Sequence, residues 1–149
     1  AMIGASLAAV GIVIALSQTF LTGPAVRRFG ERDAATIGLI GAIAGFIAYA
    51  FAVNTWQALA LLVVIAVQSL VQPSLMAMLS RSAPADTQGE VQGIASMAMG
   101  LGSIVAPLLL TGVMARFTSA AAPVQFPGAA FLIAAMFGLV ALFLLRRLP

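Results

Sequence analysis

Three glutamines, Gln18, Gln68 and Gln72, stand deep in apolar sequence, and Ser17, Ser69, Ser96 and Ser103 stand in the same kind of surroundings. A carboxamide donates and accepts hydrogen bonds but is neither acid, base nor nucleophile. The chemistry open to these side chains is therefore recognition. In a lipid-like environment a buried amide must find a partner or water. Gln68 and Gln72 are four apart, which places them on one face of a helix. Such amides either tie one helix to the next or line a polar cavity, and their spacing leaves both readings open. Catalysis has little to work with: there is no histidine and no cysteine, and the four acids, Glu31, Asp33, Asp86 and Glu90, all lie outside the apolar runs. That inventory removes the imidazole base, the thiolate nucleophile and the His- or Cys-ligated metal. No catalytic residue, metal site or cofactor is expected, and a membrane enzyme fails on residue types.

The elements that carry the glutamines follow from composition. Of 149 residues, 62% are hydrophobic and 7% charged, against about 25% charged in an average soluble domain. So few charges cannot cover a soluble globule of this size, and disorder has the opposite signature. The class that remains is an all-α integral membrane protein, one membrane domain over residues 1–149. The charges cluster at Arg27–Asp33, at Arg81, Asp86 and Glu90, and at Arg146 and Arg147, with Arg116 alone. Five uncharged runs lie between them, about 3–22, 34–53, 57–79, 91–115 and 128–145, each long enough to cross a hydrocarbon core of about 30 Å as a helix. The alternation of a membrane β-barrel is missing from them. The first run has no basic region before it and so does not read as a signal peptide. Because Ala1-Met2 leads almost directly into an apolar helix, the chain is expected to be a piece of a longer protein.

Five crossings put the 23–33 segment, the 80–90 segment and the C-terminus on one side, with six of the seven arginines. The positive-inside rule makes that side cytoplasmic. Small residues recur at steps of three and four: Gly4, Ala8, Gly11, Ala15, Gln18 and Thr22 in run one, Gly38, Gly41 and Gly45 in run two, and Gly89, Gly93, Ser96, Gly100, Ser103 and Pro107 in run four. These read as packing faces first. Runs one, three and four carry the amides and serines and are expected to face a polar interior, whereas runs two and five are expected to face lipid. Pro73 and Pro107 predict kinks. Thr87 and Glu90 predict a capping box at the start of run four.

The segment Thr22-Gly23-Pro24-Ala25-Val26-Arg27-Arg28-Phe29-Gly30-Glu31-Arg32 resembles the basic loop of the major facilitator superfamily, most closely the version between the eighth and ninth helices of tetracycline-resistance drug:proton antiporters. Ser6-Leu7-Ala8-Ala9 with Gln18 is similar to that family's eighth helix. Pro73 with Ala77-Met78-Leu79-Ser80-Arg81 is similar to the end of its tenth. Gln88-Gly89-Glu90-Val91-Gln92-Gly93 and Ser103-Ile104-Val105-Ala106-Pro107-Leu108-Leu109 are similar to its eleventh. The superfamily's loop usually has Asp where Arg27 stands, and the antiporters' Gly-Pro is Ala106-Pro107 here.

The resemblance implies that the five runs are helices eight to twelve of a twelve-helix bacterial inner-membrane transporter, a C-terminal six-helix half without its seventh helix. It implies that helices eight, ten and eleven line the cavity while nine and twelve lie outside. The implied function is proton-coupled efflux of a small amphiphilic drug of tetracycline type by alternating access. The partners would be the lipid bilayer, the missing N-terminal half, drug and proton, with no nucleic acid. The substrate path is then expected to use Gln18, Gln68, Gln72, Ser96 and Ser103. A cytoplasmic gating segment is expected at Gly23, Arg27, Arg28, Gly30 and Arg32, the glycines permitting tight turns and the arginines meeting lipid phosphate or acids at helix ends. No apolar run holds a carboxylate, so a proton-coupling group is expected in the missing half. The competing reading is a non-transporting helix bundle or assembly subunit, in which the glutamines bond helix to helix and no cavity exists.

Overall fold

The computed structural model describes residues 2–119 and 125–147, with the backbone alone at 2, 3, 5–7, 9, 10, 55, 58, 59, 62, 63 and 65. All regular structure among the described residues is helical. The first apolar run forms α1 (Met2–Ser17), passes into a π-helical turn at Gln18–Thr22 and continues without a gap into α2 (Gly23–Phe29). Gly23 has helical angles, φ −58° and ψ −57°. The expected turn there is therefore absent, and most of the expected 23–33 loop is helix. Pro24 sits in the first turn of α2, where a missing N–H is tolerated. The chain turns instead at Gly30, whose φ of +83° suits a residue without Cβ. Its amide still bonds the Val26 carbonyl at 2.9 Å.

Helix α3 (Glu31–Ala50) starts directly after Gly30, with Glu31 and Asp33 in its first turn, the end at which the helix dipole favours carboxylates. The third run is divided into α4 (Thr55–Ala60), α5 (Leu62–Gln68) and α6 (Val71–Ser82). The kink predicted at Pro73 is thus a break at Ser69–Leu70. Pro73 has no N–H to offer the Ser69 carbonyl four residues back, so the α-helical ladder opens upstream of the ring. Helix α7 (Gln88–Thr118) runs through Pro107 as one element, and α8 (Ala129–Arg147) ends the chain. Among the described residues three helices, α3, α7 and α8, are long and apolar enough to cross a membrane. Runs one and three are helical but interrupted, so three uninterrupted spans stand where five were expected. Residues 120–124, between α7 and α8, lie outside the described residues.

The capping box predicted at Thr87 and Glu90 does not form. Thr87 makes no side-chain cap, and its hydroxyl donates to the Pro84 carbonyl at 3.2 Å instead. A box-like exchange occurs at the start of α4: Gln57 N donates to Asn54 Oδ1 at 2.8 Å and Val53 N donates to Gln57 Oε1 at 2.9 Å.

Run two, implied to lie on the outside, is the packing centre of these helices. Ala34, Ala35, Gly38, Leu39, Ala42, Ile43, Gly45 and Ala50 of α3 are buried. The reason is its glycine face. A Cβ on Gly38 would stand 2.7 Å from Val71 Cγ2, one on Gly41 2.7 Å from Val67 Cγ1, and one on Gly45 2.5 Å from Val64 Cγ1. The absent side chains bring α5 and α6 against the α3 backbone, as expected where lipid supplies no hydrophobic drive between helices. On its other side α3 meets α8. Gly138 lies under Ile43, and Gly128 is pressed onto the Ala50 backbone. At one end, Ala35, Leu39 and Leu145 form a buried cluster with Val71, Met78 and Leu142 against it.

That same end carries the Glu31, Arg32 and Arg81 charges and the C-terminal arginines. Arg81 Nε pairs with Glu31 at 3.0 Å. Arg32 Nη2 donates to the carbonyls of Leu145 and Arg146 at 3.3 and 3.2 Å. The 23–33 segment, the end of α6 and the C-terminus therefore share one end of the molecule. The opposite end is aromatic: Tyr49 stacks on Phe131, and Phe51 meets Phe126, with ring centroids 5.7 and 5.8 Å apart.

Candidate functional site

Four helical segments line an open concavity of about 690 Å³ beside α3. Ile14 and Gln18 reach it from the first run, and Gln68, Ser69, Val71 and Gln72 from the third. Leu39, Ala42 and Phe46 of α3, and Ala134, Phe137, Gly138 and Ala141 of α8, supply apolar wall. Ile14 and Gln18, like Gln68 and Gln72, are one helical step of four apart, which is why each pair shares a face. The result is a mostly apolar concavity with a few amides, the usual make-up of a small-molecule site.

Two of the three amides are not spent on helix-to-helix bonding. Gln18 and Gln68 make no side-chain hydrogen bond to another described residue, whereas Gln72 Nε2 makes one long contact, 3.7 Å, to Met99 Sδ of α7. Of the five residues expected on a substrate path, the structure brings Gln18, Gln68 and Gln72 together. Ser96 and Ser103 stand apart on exposed parts of α7, and the Ser103 hydroxyl donates to its own helix at Gly100 O, 2.7 Å. The expected division of runs into cavity-facing and lipid-facing is not what the structure shows, because runs two and five form cavity wall. Polar residues mark which helices bring amides, but a largely apolar cavity also needs helices that bring none.

Of the expected gating residues, Gly30 and Arg32 sit at the charged junction described above. Arg27 and Arg28 are exposed at the end of α2, with the Arg28 guanidinium 5.8 Å from the Phe29 ring centre. Sequence reasoning passed over Phe46 and Phe137 because a periodic apolar helix does not declare which face meets a cavity. Ser69 carries a sequence signal of its own: it is the residue whose carbonyl Pro73 leaves without a helical donor. Among the described residues no group of three or more His, Cys, Asp or Glu is placed to hold a metal ion.

A second tie crosses the break. Ser17 Oγ donates to Ala66 O at 2.6 Å and lies 2.6 Å from Ser69 Oγ, and Ser69 Oγ donates to the same Ala66 carbonyl at 2.8 Å. Ser17 is 5% exposed. These three oxygens join the first run to the third at the level of the glutamines.

An all-helical chain with long apolar spans, charges gathered at one end and an amide-bearing apolar cavity is the build of a membrane transporter. Residues 1–149 match the Major Facilitator Superfamily along their whole length, and the chain belongs to that family. It is 40% identical over 146 residues to the class C tetracycline resistance protein of Escherichia coli, covering 98% of this chain and 36% of that protein. It is 35% identical over 147 residues to the class G tetracycline resistance protein of Vibrio anguillarum, covering 99% and 36%. A rat protein, Hippocampus abundant transcript-like protein 1, is 33% identical over 105 residues, covering 70% and 21%. The chain thus spans about a third of the length of the bacterial relatives. No solved structure gives a significant match.

Proposed function

We propose that this chain is part of the C-terminal half of a drug-exporting antiporter of the bacterial inner membrane, with five crossings and a cytoplasmic C-terminus, taking an amphiphile of tetracycline type. The observation that carries this reading is the meeting of Gln18, Gln68 and Gln72 in one apolar-walled cavity, with Gln18 and Gln68 free of bonds to described neighbours. An amide left without a partner in an apolar medium costs roughly 2–7 kcal/mol, a cost that water or a ligand's polar groups remove. A helix bundle held together by its glutamines would spend them on one another. The relatives named for tetracycline resistance supply the substrate class.

In this reading drug is held by the three amides against Phe46 and Phe137. Ser96 and Ser103 lie on the α7 surface that meets the rest of the transporter. The group that binds the exchanged proton is a carboxylate outside this chain, since the apolar runs hold none. The cavity opens to alternate sides as the two halves rock. Glu31, Arg32 and Arg81 hold the cytoplasmic ends of α3, α6 and α8 together during that motion, and Arg27 and Arg28 face lipid phosphate.

The test is Gln72→Leu in the complete transporter, a change that keeps side-chain volume and removes the hydrogen-bonding group. Loss of tetracycline export at normal membrane abundance supports the reading. Undiminished export returns Gln72 to a packing role.

A further inference from the structure

Two departures from regular helix, one in the first run and one in the third, meet at a single point. The π turn begins at Gln18, directly after Ser17, and the break at Ser69–Leu70 directly follows Gln68. Each irregularity is thus next to a cavity glutamine. The residues that touch across the gap are Ser17 and Ser69, both bonded to the Ala66 carbonyl. We propose that Ser17 is a positioning residue: its hydroxyl fixes the rotation of the first helix against the third and so aims Gln18 into the cavity that holds Gln68 and Gln72. The proposal rests on the reading of that cavity as the substrate path.

A π turn and a proline break each disturb the i to i−4 ladder, and inside a membrane such disturbance persists only where other groups satisfy the freed backbone. Thr22 Oγ1 bonds the Ser17 carbonyl at 3.4 Å across the π turn. On the third run, Leu70 N bonds Val67 O at 3.2 Å, a tighter turn than α-helix. Three oxygens, Ser17 Oγ, Ser69 Oγ and Ala66 O, stand within 2.6 to 2.8 Å of one another. Two hydroxyl protons serve them. Ser69 to Ala66 is a bond within the third run, so every bond between the runs in this cluster involves the Ser17 hydroxyl. Without it the π turn can relax to α-helix. That change of one residue in register rotates one side of the first helix against the other by about 100°, which is enough to turn a neighbouring side chain out of a cavity.

The roles of the two serines are therefore unequal. Ser17→Ala removes every inter-run bond of the cluster. Ser69→Ala leaves the bond from Ser17 to Ala66. In the complete transporter, Ser17→Ala is expected to raise the half-saturating tetracycline concentration about ten-fold with the maximal rate per transporter unchanged. Ser69→Ala should raise it clearly less, and the double variant should be no worse than Ser17→Ala alone. Half-saturation unchanged in Ser17→Ala, or equal effects of the two serines, overturns the proposal.

A second measurement does not depend on transport. Gln18→Cys in a complete transporter with no other cysteine reacts with a water-soluble methanethiosulfonate at a rate set by where residue 18 points. Adding Ser17→Ala turns residue 18 away from the cavity and should lower that rate about ten-fold, the shift that loss of one hydrogen bond gives, and an unchanged rate overturns the proposal. If Gln72→Leu leaves export intact while Ser17→Ala shifts the labelling, the substrate-path reading fails and the positioning role stands. Should Ser17→Ala not reach the membrane, Ser17→Cys with Ser69→Cys replaces it. Cross-linking of the pair under mild oxidant is expected from hydroxyls 2.6 Å apart, and its absence refutes the contact.

Discussion

Helices α3 and α7 carry the same kind of sequence and meet opposite circumstances. Both are long, apolar and rich in glycine at helical spacing. In α3 that glycine face is filled by Val64, Val67 and Val71. In α7 a Cβ on Gly89, Gly93, Gly100, Gly102 or Gly112 would meet nothing within 4 Å. No residue of α7 is buried, and Ile94, Met97, Leu101, Ile104 and Leu108 are among its large exposed apolar side chains. The difference teaches that a small-residue stripe records a helix's capacity for close approach and not the identity of its neighbour. The face of α3 finds its neighbour within the chain. That of α7, by our reading, is built for the remainder of the transporter.

The largest effect is expected where a side chain would collide with backbone. Gly128 lies against the Ala50 carbonyl, so Gly128→Val should destabilise the complete transporter by about 3 kcal/mol, near the upper end for overpacking, and lower its melting temperature in detergent. Next comes a matched pair that tests the comparison directly. Gly38→Ala presses a methyl onto Val71 Cγ2 at 2.7 Å and the Val71 amide at 3.1 Å. Valine is stiff at χ1 in a helix and cannot swing away. A loss of about 2 kcal/mol is expected there, while Gly100→Ala should be neutral or stabilising by up to about 1 kcal/mol through helix propensity. Equal losses at the two sites would erase the distinction. A larger replacement, Gly100→Leu, sharpens it: blocked export with normal membrane abundance is expected if that face seats another helix.

A smaller effect is expected at the charged end. Arg32 gives two hydrogen bonds to the last carbonyls of α8, a common way to satisfy a helix C-terminus. Arg32→Ala should cost about 1 kcal/mol, seen as faster amide exchange over residues 142–147. Arg81→Ala should cost less. The Arg81 side chain is 79% exposed and that of Glu31 12%, so solvent screens the pair from the arginine's side, toward the about 0–1 kcal/mol of surface pairs.

These contrasts also mark what the sequence disclosed. The helical class was legible because 62% hydrophobic content with charges in clusters has few other solutions, and the ends of α8 differ little from the run read off composition. The meeting of Gln18, Gln68 and Gln72 was legible because an amide in apolar sequence demands a polar neighbour. What stayed hidden depended on tertiary partners. The π turn at Gln18–Thr22 has no propensity signal. The break in the third run lies upstream of the proline that causes it. The Thr87 hydroxyl chose a carbonyl of its own turn over a cap. The central position of α3 could not be read from its three glycines, since α7 has five.

The smallest effect, and the one of opposite sign, concerns Ser74. It is fully buried on the face of α6 shared with Val71 and Met78, which pack against Ala35, Leu39 and Leu145. Its Oγ makes no hydrogen bond. Serine in a helix ordinarily satisfies its hydroxyl on the carbonyl four residues back, as Thr36, Thr111 and Thr118 do, but the Ser74 hydroxyl does not. A buried hydroxyl without a partner carries a desolvation cost, and here the smallness of the side chain rather than its oxygen serves the contact with α3. Ser74→Ala removes the oxygen and leaves little void, so it should stabilise the transporter by up to about 1 kcal/mol without altering export. Ser74→Val keeps the position apolar but adds volume against the backbone side of α3, and should lose stability as Gly38→Ala does. A loss in Ser74→Ala equal to that of Ser74→Val would show the hydroxyl to be bonded in the membrane. The close approach of α6 to α3 would then rest on that bond as well as on the glycine face.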